Sequence, residues 1–272
     1  MMSIFSRLSS LRWIVLFCLF SSSIVQAQDV LRASVSSQIS EAYGKRILPM
    51  FEKKTGITVQ LYVGPSETAI QRLVNNFSDI AITAVSLPNE LKESGFVEIP
   101  FCRDSLAVIT NTQCTLTQPC NIDNLTLTQL RDIFSGRISN WKDLGGPDQR
   151  IITIVPGPET GEFKNFKQLV MRLKEIKYDF ITYQSTMVIE GVKSIPGAIS
   201  IIAQGAIPRD LSVKTIKIDG LAPTNKEYPI YLIFSFATKG TPGPLAQATI
   251  NFALSEDGIQ FMKERGMFPI IE

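Results

Sequence analysis

Residues 31–64 read LRASVSSQISEAYGKRILPMFEKKTGITVQLYVG, and the hydrophobic period changes twice along them. Leu31 to Val35 alternates apolar and polar side chains, the period of a half-buried strand. Ser36-Ser37-Gln38 then leads into Ile39, Tyr43, Ile47 and Met50, which share one face of a helix. Pro49 should kink or interrupt that helix, because it lacks an N–H and crowds the carbonyl four residues back. Thr55-Gly56 ends the helix, and Ile57 to Val63 is a second strand. Strand, polar turn, helix and strand together predict a βαβ unit, hence an α/β protein with parallel pairing.

The pattern repeats outward. Gly64-Pro65-Ser66-Glu67-Thr68 makes the next turn, and Ile70, Leu73, Val74 and Phe77 give the next helical face. Asp79 to Ala84 and Ser105 to Thr110 read as strands, so the first hundred residues after the leader suggest a parallel sheet with crossover helices. Composition shifts to Thr, Gln, Asn and Pro after Thr110, as where a chain leaves one lobe for another. Thr126 and Gln129 form a capping-box signal ahead of Leu127, Leu130, Ile133 and Phe134, with Gly136 as the stop. Ile151 to Val155 is a strand that enters Pro156-Gly157-Pro158-Glu159-Thr160. A helix with Phe163, Phe166, Val170 and Leu173 follows. Ala198 to Ile202, Val213 to Ile218 and Tyr228 to Phe236 read as further strands, and one closing helix around Ile250, Leu254 and Phe261 follows Pro244. Trp141, Phe234 and Phe236 are expected in the core.

The first 27 residues have the form of a cleaved secretory signal peptide. Arg7 and Arg12 precede an apolar run from Trp13 to Phe20, and Val25-Gln26-Ala27 offers the small residues of a cleavage site. That run is far shorter than the roughly 20 residues that cross a bilayer. Phe17 is too bulky to precede a lipidated Cys18. Without the leader the 27 basic residues fall to 25, equal to the 25 acidic ones. A net charge of zero argues against a nucleic-acid or anionic-membrane partner. Export also suggests that Cys114 and Cys120, which bracket a short turn-prone segment, pair as a disulfide, while Cys102 stays a buried structural thiol. The chain has no histidine, which removes Ser-His-Asp and Cys-His nucleophile systems and His-ligated zinc. No enzyme, metal or cofactor is expected.

Residues 125–146, LTLTQLRDIFSGRISNWKDLGG, together with Phe51 to Gly56, Asp79-Ile80-Ala81, Ile195 to Ile199 and Phe252 to Gly258, resemble the phosphate-type periplasmic solute-binding proteins of ABC importers. In order and spacing these runs cover nearly the whole chain after the leader. The resemblance implies a two-lobed periplasmic-binding-protein fold with a ligand cleft between lobes. It divides the chain into a signal peptide (1–27), a discontinuous first lobe (28–108 plus 229–272) and a second lobe (109–228). It implies a periplasmic monomer that binds phosphate or a similar small oxyanion and works with an ABC permease.

Independently of the family, a helix N-terminus offers unpaired N–H groups and partial positive charge, so converging strand-to-helix turns make an anion socket. Ser36-Ser37-Gln38, Ser66-Glu67-Thr68 and Pro158-Glu159-Thr160 are the candidate turns, with Gly161 next to the last of them and Thr83 adding a hydroxyl after the third strand. The alternative role of such hydroxyls is to cap their own helices. Where the family places Ser-Gly-Thr, this chain has Ser66-Glu67-Thr68 and Pro158-Glu159-Thr160. The arginine that precedes the second turn in the family is missing from Ile151 to Phe163. A glutamate about 4 Å from a phosphate charge costs roughly 4 kcal/mol at an effective dielectric of 20, more than one helix terminus returns. An amine-bearing or neutral solute therefore competes with phosphate, and a two-lobed sensor that signals to a membrane partner competes with a transport role. Glu67 and Glu159 as an acid/base pair for glycoside chemistry has no other support.

Overall fold

The computed structural model describes residues 29–113, 121–208 and 213–271. The proposed signal peptide and the Cys114–Cys120 pairing lie outside the described residues. In chain order the strands are β1 (Val30–Ser36), β2 (Thr58–Gly64), β3 (Ile80–Thr83), β4 (Phe96–Asn111), β5 (Asn124–Leu125), β6 (Ile152–Pro156), β7 (Phe180–Thr182), β8 (Ala198–Ala203), β9 (Val213–Ile218), β10 (Tyr231–Lys239) and β11 (Phe268–Pro269). The α-helices are α1 (Ser37–Ile39), α2 (Lys45–Thr55), α3 (Ser66–Val74), α4 (Asn89–Glu93), α5 (Leu127–Phe134), α6 (Gly161–Leu169), α7 (Ser185–Ser194), α8 (Pro244–Ala253) and α9 (Glu256–Glu264).

The main sheet path runs β2-β1-β3-β10-β4-β8-β6-β7. β1 pairs in parallel with β2 and β3, as the opening βαβ pattern predicts. The mostly parallel sheet expected of each lobe takes one antiparallel member in the first half: β10 returns from late in the chain and inserts antiparallel between β3 and β4. Sequence period alone gives no pairing partner across such a separation. β4 joins the two halves. Its first part pairs with β10 and β11, and its second part pairs antiparallel with β8 and β9. In the second half β6 pairs in parallel with both β7 and β8.

Several local expectations meet a correction. The first helix runs through Pro49 and widens to a π turn over Ser40–Gly44 just ahead of α2. Its last turn buries Phe51 rather than Met50, which is 40% exposed. The closing helix is two, broken at Leu254 and restarted by Ser255, whose Oγ caps α9. Leu173 belongs to no helix, because Arg172 and Leu173 are left-handed after α6 ends. The capping box forms as read: the Gln129 N–H donates to Thr126 Oγ1 at 3.1 Å, and the Thr126 N–H to Gln129 Oε1 at 2.8 Å. Trp141 is fully buried, its Nε1–H donating to Gly197 O at 2.9 Å. Phe101 stacks on Phe236 at 4.3 Å beside Phe234 in the core under β4 and β10, and Cys102 is a buried free thiol.

Candidate functional site

Strands β1, β2, β6 and β7 each deliver the chain into a helix: β1 into α1, β2 into α3, β6 into α6 and β7 into α7. The starts of α1, α6 and α7 meet at a small cavity of about 10 Å³, room for about one water, whose lining includes Ser37, Gln38, Glu41, Thr160, Glu162 and Ser185. The start of α3 lies one layer away, through Ala84. The Ala84 N–H points to Ser66 Oγ at 3.4 Å, and a Cβ added at Gly161 would fall 2.9 Å from Ala84 Cβ.

The sequence-predicted residues divide accordingly. Ser37, Gln38 and Thr160 line the cavity. Gly161 opens α6 beside it, packed so closely that an added Cβ would lie 2.2 Å from Gln38 Nε2. Thr160 caps α6, accepting from the Phe163 N–H at 3.3 Å while its hydroxyl donates to Gly157 O at 2.7 Å. Ser37 Oγ donates to Gly64 O at 3.1 Å, and Thr83 Oγ1 to Val85 O at 2.8 Å. Ser36 and Ser66 are fully buried, and Thr68 is half-buried. Glu159 is half-buried outside the cavity lining, and the mostly exposed Glu67 carboxylate pairs with Lys164 of α6.

The carboxylates that face the cavity are two others, Glu41 and Glu162. Glu162 is the second residue of α6 and only 3% exposed. It lies four residues before Phe166 and eight before Val170, on the same buried stripe, a spacing that would have revealed it. Burial pushes its carboxyl up to about 8, and the nearby Glu41 and Asp104 charges add to the rise against its own backbone N–H. Asp104, on β4, is raised to about 7 by burial, opposed by N–H donors of Gly205 and Ser105 and by the Arg265 charge. Glu41 follows Ser37 by one helical turn and reaches across to α7, where Glu41 Oε2 accepts the Ser185 N–H at 2.9 Å. Its nearest cation, Lys45, is 3.9 Å away and largely exposed. No basic side chain lines the cavity among the described residues. In the same region Ser36 Oγ, Ser40 Oγ and both amide atoms of Gln38 are buried with no hydrogen-bond partner among the described residues. Sequence reasoning also missed α7, although Val188, Ile189 and Val192 after Ser185 carry its apolar face.

The halves are tied by their own side chains. Asn165 Nδ2 donates to Ala84 O at 3.1 Å, which joins the Glu67–Lys164 and Glu41–Ser185 contacts.

The family model for the PBP superfamily domain matches residues 23–257. The chain belongs to the PBP superfamily. Among curated relatives of this superfamily member, the phosphate-binding protein PstS of Borreliella burgdorferi is 26% identical, with 94% of this chain and 98% of the relative covered. PstS of Bacillus subtilis is 25% identical, with 81% and 74% covered. Of solved structures, a substrate-binding protein from Clostridium perfringens with phosphate bound superposes at TM-score 0.79 with 24% identity, over 89% of this chain and all of that one. An ABC-type phosphate transport receptor from Vibrio cholerae superposes at 0.68 with 23% identity and the same coverage. These superpositions establish the two-lobed binding-protein fold for this superfamily member.

Proposed function

We propose that the chain is an exported solute-binding protein of an ABC importer, holding phosphate or a similar small oxyanion between its lobes. One observation carries the reading: the starts of α1, α6 and α7 converge on one small cavity, which the lobes must part to widen for a solute, and the buried amide of Gln38 on its wall has no partner among the described residues. Helix N-termini supply N–H donors to an oxyanion without a cationic side chain. The names of the relatives, phosphate-binding proteins, favour the same solute class. In this reading Ser37, Gln38, Thr160 and Gly161 form the seat, with Ser66 behind it, and the lobe boundary falls on the two long strands β4 and β10.

Titration calorimetry of residues 28–272 against phosphate, sulfate and molybdate tests the proposal. Saturable one-to-one binding of at least one compact oxyanion, with a fall in the scattering radius as the lobes close, is the expected result. A sensor that signals to a membrane partner is the second reading, favoured by the Asn165–Ala84, Glu67–Lys164 and Glu41–Ser185 contacts, which hold the halves together with protein groups alone. A radius that stays unchanged under every solute would favour it.

A further inference from the structure

We propose that the solute of this cleft is a zwitterion, with its oxyanion on the helix N-termini and a primary ammonium between Glu41 and Glu162. The inference rests on the solute-binding reading and narrows its ligand. Two carboxyl side chains, from the first helix and from α6, line the same small cavity, and no basic side chain joins them there among the described residues. A third carboxyl, Asp104, acts on Glu162 from β4, while Lys45, 3.9 Å from Glu41 Oε1, is largely exposed and does not line the cavity. Buried carboxylates without a paired cation are unfavourable, so Glu162 holds its proton in the closed protein. A bare oxyanion leaves that carboxyl uncharged and brings no cation to the pair. An ammonium takes the place of the proton, which passes to solvent, and its three N–H donors match the acceptors of two carboxyls.

Gln38 supplies the second, independent observation. Its amide is 2% exposed, lines this cavity, and has neither donor nor acceptor satisfied among the described residues. An amide at the border between an anionic and a cationic group can donate to the first and accept from the second. The oxyanion end has its own place, where Gly161 leaves the backbone of α6 bare beside Gln38 and Thr160 caps the helix.

Calorimetry at neutral pH with 2-aminoethylphosphonate, ethylphosphonate, inorganic phosphate and β-alanine tests the inference. The expected result is at least tenfold tighter binding of 2-aminoethylphosphonate than of ethylphosphonate or phosphate. Glu162→Gln, nearly isosteric with the protonated native side chain, should erase that preference, and Glu41→Gln should do the same should the first variant fold poorly. Tight binding of β-alanine instead would support the proposal and identify the oxyanion as a carboxylate. Phosphate or ethylphosphonate binding as tightly as the amine-bearing compounds would overturn the zwitterion while leaving the importer reading intact. Failure of all four, together with sulfate and molybdate, would overturn both.

Discussion

Glu67 and Glu162 occupy the same position in their helices, the second residue of α3 and of α6, and meet opposite fates. The Glu67 side chain is 68% exposed and pairs with Lys164; Glu162 is 3% exposed and is raised to about 8. Acids at the start of a helix are favoured by the macrodipole in both cases, so the dipole does not explain the difference. Helical phase does. Glu67 precedes the exposed Gln71 by four residues, on the solvent face, while Ser66, Ala69, Ile70 and Leu73 are buried. Glu162 precedes the buried Phe166 by four, on the core face. One step of rotation about the helix axis separates a solvated ion from a proton-holding acid inside the cleft.

The largest expected effect comes from testing this contrast with pH. Glu162 has its folded-state value above the ordinary 4.5, so its contribution is whole below about 4.5, where both states carry the proton. As pH rises to about 8 the unfolded chain releases that proton while the native chain keeps it, and stability falls by several kcal/mol before levelling off. Asp104, raised to about 7, adds a decline of the same sign. Denaturant titrations between pH 5 and 8 should show this loss. Glu162→Gln should remove the larger part of the slope. A flat wild-type profile, or a Glu162→Gln variant that keeps the wild-type slope, would break the comparison.

The next effect tests the residue before each glutamate. Gly161 has ordinary backbone angles and is required by contact, since an added Cβ would lie 2.2 Å from Gln38 Nε2 and 2.9 Å from Ala84 Cβ. The Gln38 amide can swing aside, whereas Ala84 cannot. Gly161→Ala should therefore lose about 1 to 3 kcal/mol, the range for overpacking. At the matching position of α3, Ser66→Ala removes only a long 3.4 Å contact to the Ala84 N–H, and about 1 kcal/mol or less is expected. Urea midpoints of the two variants check the order.

Thr160→Ala should have a smaller effect. It removes the cap of α6 and should cost about 1 kcal/mol. Pro65, which precedes α3, makes no side-chain cap, so Pro65→Ala has no such bond to lose.

Much of this was legible in the sequence. The alternating opening strand and the Thr126–Gln129 capping box followed from period and cap chemistry, both local signals, while the buried Trp141 followed from its place in the family-like run 125–146. The insertion of β10 beside β3 was not, because antiparallel pairing across so long a loop leaves no periodic trace. Around the cavity, the turns containing Ser37 and Thr160 were read from the sequence, whereas Glu162 was not among the residues named. Counting from the cap would have added it: with Thr160 as the cap, Glu162 falls on the Phe166 and Val170 stripe. Glu41 required a fact no single helix contains, that α7 begins opposite it.

The smallest expected effect belongs to the Glu67–Lys164 pair, which joins the two helices whose glutamates are compared. The Glu67 carboxylate is mostly in water and the Lys164 side chain is 31% exposed, so solvent and salt screen their attraction. A double-mutant cycle with Glu67→Ala and Lys164→Ala should return a coupling of about 0.5 kcal/mol, falling further when salt is raised. The ligand should change that number. Lys164 belongs to α6 and Glu67 to α3, so on the proposed importer reading an opened cleft would separate them and a bound solute would bring them together. Coupling that is small without solute and grows when the cleft is saturated would mark the pair as a contact of the closed state. Coupling that is equal in both would show that the lobes are already held shut by the protein's own groups, which favours the sensor reading over the importer.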